Sequence, residues 1–301
     1  MEEILNVIQK KIQKRKTETG ILICSVLLLT FLLYGNLIKE RKENNLLRLY
    51  FLNVGQGDSE LILLPGGASI LIDAGPPNKK ALEELSKILS PFQRTIDIVS
   101  PSHFQLDHMG GLPEVMKRYK VGAILSNGET SETSIYQTFV KTAKKENIPN
   151  IAITKGDKIK YKESVITVLH PPANSTGKIK DINESSLVLQ LKSKGVGALF
   201  TGDAGATTEK LLLQYLEAEL PNIDILKVPH HGSRFSSTKE FLKAVSPKIA
   251  IIEVGKNTYG HPTPQTLKRL EEIGAKIYRT DRDGTIQITT NGKILTIKTI
   301  K

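Results

Sequence analysis

The chain has 301 residues, a formal net charge of +11, 39% apolar residues and one cysteine. That length and apolar content suit one large α/β domain with an appendage, and exclude a disordered, fibrous or many-pass membrane protein. A single cysteine excludes a disulfide framework and a cysteine-rich zinc module, while the positive charge favours an anionic partner such as nucleic acid, a phosphate ester or an acidic envelope surface.

The charge pattern is most uneven at the start. Lys10, Lys11, Lys14, Arg15 and Lys16 belong to a basic leader, residues 1–18, ahead of an uncharged stretch from Thr19 to Ile38. Its heart, Ile21 to Tyr34, is almost wholly apolar, and about 20 residues of helix span a bilayer. A cleaved signal peptide wants small residues at its cleavage site, and only Gly35 is suitably placed. The expectation is therefore an uncleaved single-pass anchor over residues 19–38. Lys39, Arg41, Lys42 and Arg48 follow the span, so the basic side favours an inside N-terminus by a small margin. That orientation predicts a cell-membrane protein whose main domain lies outside the cytoplasm.

A charged tether, residues 39–46, leads into continuous α/β material over residues 47–301. Apolar or β-branched runs predict strands at Leu47–Asn53, Glu60–Leu64, Ser69–Asp73, Thr95–Val99, Val165–Leu169 and Leu187–Leu191. Further strands are predicted at Gly197–Thr201, Ile223–Val228, Ile249–Val254, Ala275–Arg279, Thr285–Thr289 and Lys293–Ile297. Helical spacing falls at Lys80–Leu89, Leu112–Lys120, Ser131–Glu146, Thr207–Leu216, Ser237–Val245 and Pro264–Glu272, with Thr263 as a cap for the last. So many strands exceed one simple βαβ sheet. Two mixed sheets packed face to face and covered by helices accommodate them.

Five of the six histidines follow strand ends, among glycines and aspartates. His103 and His108 flank Asp107 in Ser100-Pro-Ser-His-Phe-Gln-Leu-Asp-His-Met-Gly-Gly111. Asp203 lies in Thr201-Gly-Asp-Ala-Gly205, His230 and His231 in Val228-Pro-His-His-Gly-Ser233, and His261 in Tyr259-Gly-His-Pro262. Loops at the carboxyl ends of buried strands point their side chains into a cleft. Imidazoles with carboxylates are what zinc, manganese or iron(II) takes, and four such groups make a site. A lone histidine is more often a surface or capping group, and His170 could equally be a turn residue. Asp73, at the end of Leu71-Ile-Asp-Ala-Gly75, can fix the tautomer of a ligating imidazole or cap its own turn. Gly55 and Gly57 permit close backbone approach, and Asp58 beside them could face the cleft.

From about Leu47 to about Ile297 these motifs together resemble the metallo-β-lactamase superfamily, and within it the soluble hydrolase-like domain of the ComEC/Rec2 DNA-uptake proteins. The resemblance is carried by Val54-Gly-Gln-Gly-Asp-Ser59, Leu71-Ile-Asp-Ala-Gly75, the His103–Gly111 loop and Ser186-Leu-Val-Leu189. Thr201-Gly-Asp203, Leu226-Lys-Val-Pro-His-His-Gly-Ser233, Tyr259-Gly-His-Pro262 and Tyr278-Arg-Thr-Asp-Arg-Asp-Gly284 complete it. It implies an αββα sandwich with a metal cleft at the sheet rims. The superfamily's His-x-His-x-Asp-His loop reads His103-x-Gln105-x-Asp107-His108 here, and Asn183-Glu-Ser-Ser186 occupies the region of a further histidine. The first metal site thus keeps only His103 and Gln105. The second keeps Asp107, His108, Asp203 and one of His230 and His231, with His231 favoured by its place directly before glycine. Asp58, Asp73, Ser186, Ser233, Arg279 and Asp281 are expected behind the ligands or against substrate.

The resulting expectation is one divalent transition metal per chain, zinc or manganese, and hydrolysis of a phosphate ester, foremost a phosphodiester in DNA. Asp107 or Asp203 would orient water, while Lys227, His261 and Arg279 would offset phosphate charge or protonate the leaving oxygen. Two alternatives stand beside it. One is a hydrolase of a small phosphorylated or envelope-linked molecule. The other is a membrane-tethered DNA-binding protein with a degenerate metal site, for which Gln105 is the best support. No recognition helix or stacking platform for sequence-specific binding is visible.

Overall fold

Alternation of side chains along each strand feeds two different cores, which is what a layered sandwich requires. In β1 (Leu47–Phe51), Leu47, Leu49 and Phe51 pack toward the other sheet while Tyr50 points to the outer helices. The same parity holds in β12 (Ile249–Ile252), where Ile249 and Ile251 enter the central core and Ala250 and Ile252 the outer one. A computed structural model describes residues 45–219 and 223–301, together with Met1, Ser25, Leu28, Thr30 and Phe31.

One sheet has eight strands in the order β15-β14-β1-β2-β3-β4-β5-β6, the other seven in the order β13-β12-β11-β10-β9-β8-β7. The opening β1, β2 (Glu60–Leu63) and β3 (Ser69–Ile72) pair antiparallel, as their short connections dictate. Beyond β3 come β4 (Thr95–Ser100), β5 (Lys120–Ser126) and β6 (Asn150–Ala152), all parallel. The second sheet repeats this division. β7 (Lys158–Tyr161), β8 (Ser164–His170), β9 (Val188–Ser193) and β10 (Val196–Phe200) are antiparallel neighbours. β10, β11 (Ile225–Lys227), β12 and β13 (Lys276–Arg279) are parallel. The final pair, β14 (Thr285–Thr290) and β15 (Leu295–Ile300), returns to the first sheet beside β1.

Helices α1 (Lys80–Ile88), α3 (Leu112–Arg118) and α4 (Ser134–Lys145) cover the first sheet through Leu85, Val115 and Phe139. Each such fully buried side chain contributes about 1.5–3 kcal/mol relative to an exposed one. On the second sheet, α5 (Ala206–Glu219), α6 (Lys239–Val245) and α7 (Pro264–Glu272) do the same through Leu212, Phe241 and Leu270. Thr263 caps α7 by accepting from Thr266 N, and Pro264 occupies the first turn, as the sequence predicts. Two one-turn helices, α2 (Leu106–Met109) and α8 (Thr280–Asp283), were not predicted.

Three strands also escape the sequence reading: β5, β6 and β7. Gly122 interrupts β5, where a Cβ would lie 2.5 Å from the Asp97 carbonyl oxygen of the neighbouring strand. β6 and β7 are sheet edges, exposed or half-exposed and short, so their sequences lack the apolar alternation of a buried strand. The predicted anchor, residues 19–38, lies outside the described residues apart from Ser25, Leu28, Thr30 and Phe31. Among the described residues no helix is long and apolar enough to cross a membrane.

Candidate metal centre

The parallel half of each sheet delivers its loops to one rim. Asp73 follows β3, the His103–His108 loop follows β4, Asp203 follows β10, His230 and His231 follow β11, and Glu253 to His261 follow β12. The short helix α2 sets Asp107 and His108 side by side, and its backbone is locked to the opening hairpin. Asp107 O accepts from Asp58 N at 3.2 Å, and His108 O accepts from Ala74 N at 2.7 Å. A Cβ on Gly57, whose φ is +138°, would collide with the Asp107 carbonyl, so this approach needs glycine.

His230 and His231 both have φ 51°, a left-handed pair costing about 1–3 kcal/mol each. The turn sets the two rings edge to face, 6.2 Å apart, with both Nε2 atoms toward Asp203 Oδ2, at 3.8 Å from His230 and 3.6 Å from His231. His230 remains half-exposed, whereas His231 is buried with Nδ1 against the Glu253 carbonyl oxygen at 2.8 Å and Asp58 Oδ1 at 3.2 Å. Its Nε2 then faces Asp107 Oδ2 at 3.3 Å and Asp203 Oδ2 at 3.6 Å. His108 is oriented in the same manner: Nδ1 lies 2.9 Å from Asp73 Oδ2, leaving Nε2 3.3 Å from Asp203 Oδ2. Asp73 is held in turn by the Ser102 amide at 2.7 Å and hydroxyl at 2.6 Å.

Three buried imidazole nitrogens, Nε2 of His103, His108 and His231, have no hydrogen-bond partner, nor does Asp203 Oδ1. Buried polar atoms left so are costly, and these lie together. Asp107, His108 and His231 form one group able to hold a metal ion, and His103, His108 and Asp203 another, each within 4.8 Å. The residues therefore fit a divalent ion bound on Nε2 and carboxylate oxygens, with each Nδ1 engaged elsewhere as ligating histidines require. Among the described residues no such group includes His230.

Charge reinforces the fit. Burial alone would lower the pKa of His108, but Asp203, Asp58 and Asp73 outweigh it and hold the imidazole well above its ordinary value. His231 likewise overcomes burial, through Asp203 and Asp58 and its bonds to Asp107 and Asp58, and is pushed up to about 10. Asp107, despite burial, is drawn down to about 2 by His231 and His108. His103 goes the other way, to about 4, because burial is joined by repulsion from His108.

Asp107, Asp203 and His231 line a cleft of about 420 Å³ together with Gln56, Gln105, Asn183, His230, Tyr259 and His261, while His103 and His108 lie buried behind it. Residues 52–255 match the metallo-beta-lactamase superfamily. The chain belongs to that superfamily. It is 30% identical over 311 residues to ComE operon protein 3 of Bacillus subtilis, covering 97% of this chain but 38% of that one. It is 27% identical to Recombination protein 2 of Haemophilus influenzae, over 79% of this chain and 28% of that one. The chain thus spans about a third of the curated relatives it matches. Two solved structures share the fold at low identity. CmlA, a diiron beta-hydroxylase from Streptomyces venezuelae, has a TM-score of 0.55 at 13% identity, over 81% of this chain and 54% of CmlA. YhfI, a metallo-beta-lactamase fold protein from Bacillus subtilis, has a TM-score of 0.54 at 12% identity, over 80% of this chain and 99% of YhfI.

Within this metallo-beta-lactamase frame the expected residues divide: Asp58, Asp73 and Ser186 lie behind the candidate ligands, while Lys227, Arg279 and Asp281 do not reach the cleft. Asp58 does not face the cleft; it is fully buried beneath the histidines, in contact with His231, His108 and Lys227. Lys227 is also fully buried, bonded to the Gly202 carbonyl oxygen at 2.8 Å and ion-paired with Asp58, so it cannot reach a phosphate in the cleft. Arg279 makes a two-pronged pair with Asp281, at 3.0 and 2.7 Å, and neither lines the cleft. Ser233 accepts from Phe235 N at 3.3 Å within its own turn. Ser186 is placed behind the site, its hydroxyl accepting from Asp203 N at 3.1 Å and lying 3.4 Å from His103 Nδ1. His261 does line the cleft, but burial and the positive fields of His230 and His231 lower it to about 4, which makes it a neutral ring rather than a cation.

Two features were missed. Glu60 and Glu253 form a buried carboxylate group with Asp58. Burial and Asp58 push Glu253 up to about 8, and burial with Glu253 raises Glu60 well above the carboxylate range. Their only signal was an acid at the edge of an apolar strand. Gln105 Nε2 donates to Asn183 Oδ1 at 2.6 Å, joining the two positions where the superfamily pattern lacks histidine. No local pattern announces a pair 78 residues apart.

Proposed function

We propose that this chain is a metal-dependent hydrolase of phosphate esters, acting foremost on the DNA backbone, and anchored in the cell membrane by residues 19–38 with its domain outside the cytoplasm. The observation that carries the proposal is the gathering of Asp107, His108, Asp203 and His231 beside one cleft, in overlapping groups able to hold a metal ion. These four would hold one divalent ion, zinc or manganese. When bound, such an ion supplies Lewis acidity toward a phosphoryl oxygen and makes water more acidic. Asp107, at the open wall, orients the attacking water. His261 gives a neutral hydrogen bond near the leaving oxygen, while Lys227 acts through Asp58 and Asp203, holding charge beneath the ligands.

The net charge of +11 and the likeness to a recombination protein and to a competence protein of Neisseria gonorrhoeae, 38% identical over 36% of this chain, support DNA over a neutral ester. The test measures metal content and turnover on single-stranded DNA, duplex DNA and a small phosphodiester. Wild type should cleave DNA with metal bound, and Asp203→Ala should lose both tight metal and turnover, by about 10³-fold or more (about 4 kcal/mol of barrier). Salt-sensitive DNA binding without metal-dependent turnover would instead identify a tethered binding protein; turnover of the small ester without DNA affinity would identify an envelope hydrolase. For the topology, protease added to intact cells should digest the domain, and full protection until lysis would refute the orientation.

A further inference from the structure

One wall of the cleft ends in an aromatic side chain with an open face. Tyr259 lines the cleft yet is 73% exposed. Its ring lies 5.8 Å from that of His261, the planes 32° apart; His261 lies 5.5 Å from His230, edge to face, and His230 lies 6.2 Å from His231. Rings therefore step from solvent to the candidate ligand.

The loop under this row is fixed before anything binds. Asn257 Oδ1 accepts from the amides of Tyr259 and His261, each at 3.1 Å. Its Nδ2 donates to the carbonyl oxygens of Gly255 at 2.9 Å and His261 at 2.8 Å. The loop also docks on the histidine turn: a Cβ on Gly232, at φ +81°, would lie 2.6 Å from Pro262 Cβ, so only glycine lets the two meet. An exposed ring on so constrained a backbone loses little freedom when a flat ligand covers it. Phe92 and Phe235 are exposed too, but neither lines the cleft, and the Arg234 guanidinium already covers Phe235 at 4.8 Å.

We infer that Tyr259, backed by His261, is a stacking wall for an unpaired base of the strand whose phosphodiester enters the cleft, so that the site takes single-stranded in preference to duplex DNA. Every base offers a π-face, so such a wall is indifferent to sequence. In a duplex those faces are already covered by neighbouring pairs, and Tyr259 gains nothing. The inference rests on the proposed phosphodiesterase reading and adds the strand preference to it.

The test compares KM and kcat of the full chain, supplied with Mn²⁺, on a single-stranded oligodeoxynucleotide, a hairpin duplex and a single strand carrying abasic positions. Tyr259→Ala should raise KM for the normal single strand between about 5-fold and about 150-fold, the range of one base–aromatic stack. It should leave kcat and the duplex KM within about 2-fold, and the effect should vanish on the abasic strand. Tyr259→Phe should restore the wild-type KM, and an unchanged melting temperature shows that the exposed position carries no fold. Equal KM changes on duplex and single strand, or none on the single strand while wild type cleaves DNA, overturn this inference alone. Wild type that hydrolyses only a small phosphodiester removes the DNA reading and the inference with it.

Discussion

At one end of the cleft Asp107, Asp203 and His231, with His108 buried behind them, bring carboxylate oxygens and imidazole Nε2 atoms to 3.3–3.6 Å. At the other, Gln105 and Asn183 bond to each other at 2.6 Å. Both ends are fed by the loop after β4, only two residues apart, yet their chemistry differs in kind. A carboxylate–imidazole cluster can be satisfied by a proton or by a metal ion, and its members hold each other at shifted pKa values while they wait. An amide pair satisfies its own hydrogen bond and carries no charge for a cation to neutralise. The contrast assigns any capacity for metal to the carboxylate–imidazole groups rather than to the cleft as a whole.

The charged end breaks most severely from below. Lys227→Ala would take from the fully buried Asp58 its nearest cation, leaving only His231 and His108 beside it, and removing one partner of a buried pair costs about 3–5 kcal/mol. Urea unfolding should show that loss, whereas a Lys227 that served substrate alone would leave stability intact and change only KM.

A gentler change tests orientation. Asp73→Asn keeps size but weakens the hold on His108 Nδ1, and such partners are worth about 10- to 100-fold in metal affinity. Titration with Zn²⁺ should report that loss with little change in melting temperature.

Protons sharpen the comparison further. His231 is pushed up to about 10 and so carries a proton at pH 7 that a metal must displace, and the surrounding carboxylates also hold His108 well above its ordinary value. Metal affinity should therefore rise between pH 6 and pH 8, by about tenfold per pH unit for each proton released. Calorimetry in buffers of different ionisation enthalpy would count those protons, and a pH-independent affinity would remove these imidazoles from the ligand set. At the neutral end the effect is smallest: Gln105→Ala should change tight metal occupancy by less than about 2-fold, since the cluster that holds the ion lacks it.

Much of this was legible because chemistry followed strand ends. Apolar runs located β1 to β4 and the parallel β10 to β12, and polar motifs just beyond them marked the rim. The edge strands β6 and β7 were illegible because an exposed edge does not need the buried pattern. Direction was harder to read than position. Asp58 and Lys227 lie in the right motifs but point beneath the cleft, and sequence spacing does not say which side of a loop faces inward. His230 and His231 are adjacent, and only the left-handed turn decides which ring goes inside. Tyr259 went unremarked as a stacking surface because its exposure and its neighbours depend on a loop organised by Asn257.

One divalent ion is expected among Asp107, His108, Asp203 and His231, and none at the amide end. An anomalous-difference map from a crystal grown with Mn²⁺ or Zn²⁺ tests this without recourse to any substrate. A single strong peak should appear within bonding distance of His108 Nε2, His231 Nε2 and the carboxylates of Asp107 and Asp203. Two peaks of equal strength, with the second beside His103 and Gln105, or a peak at neither place, would contradict it.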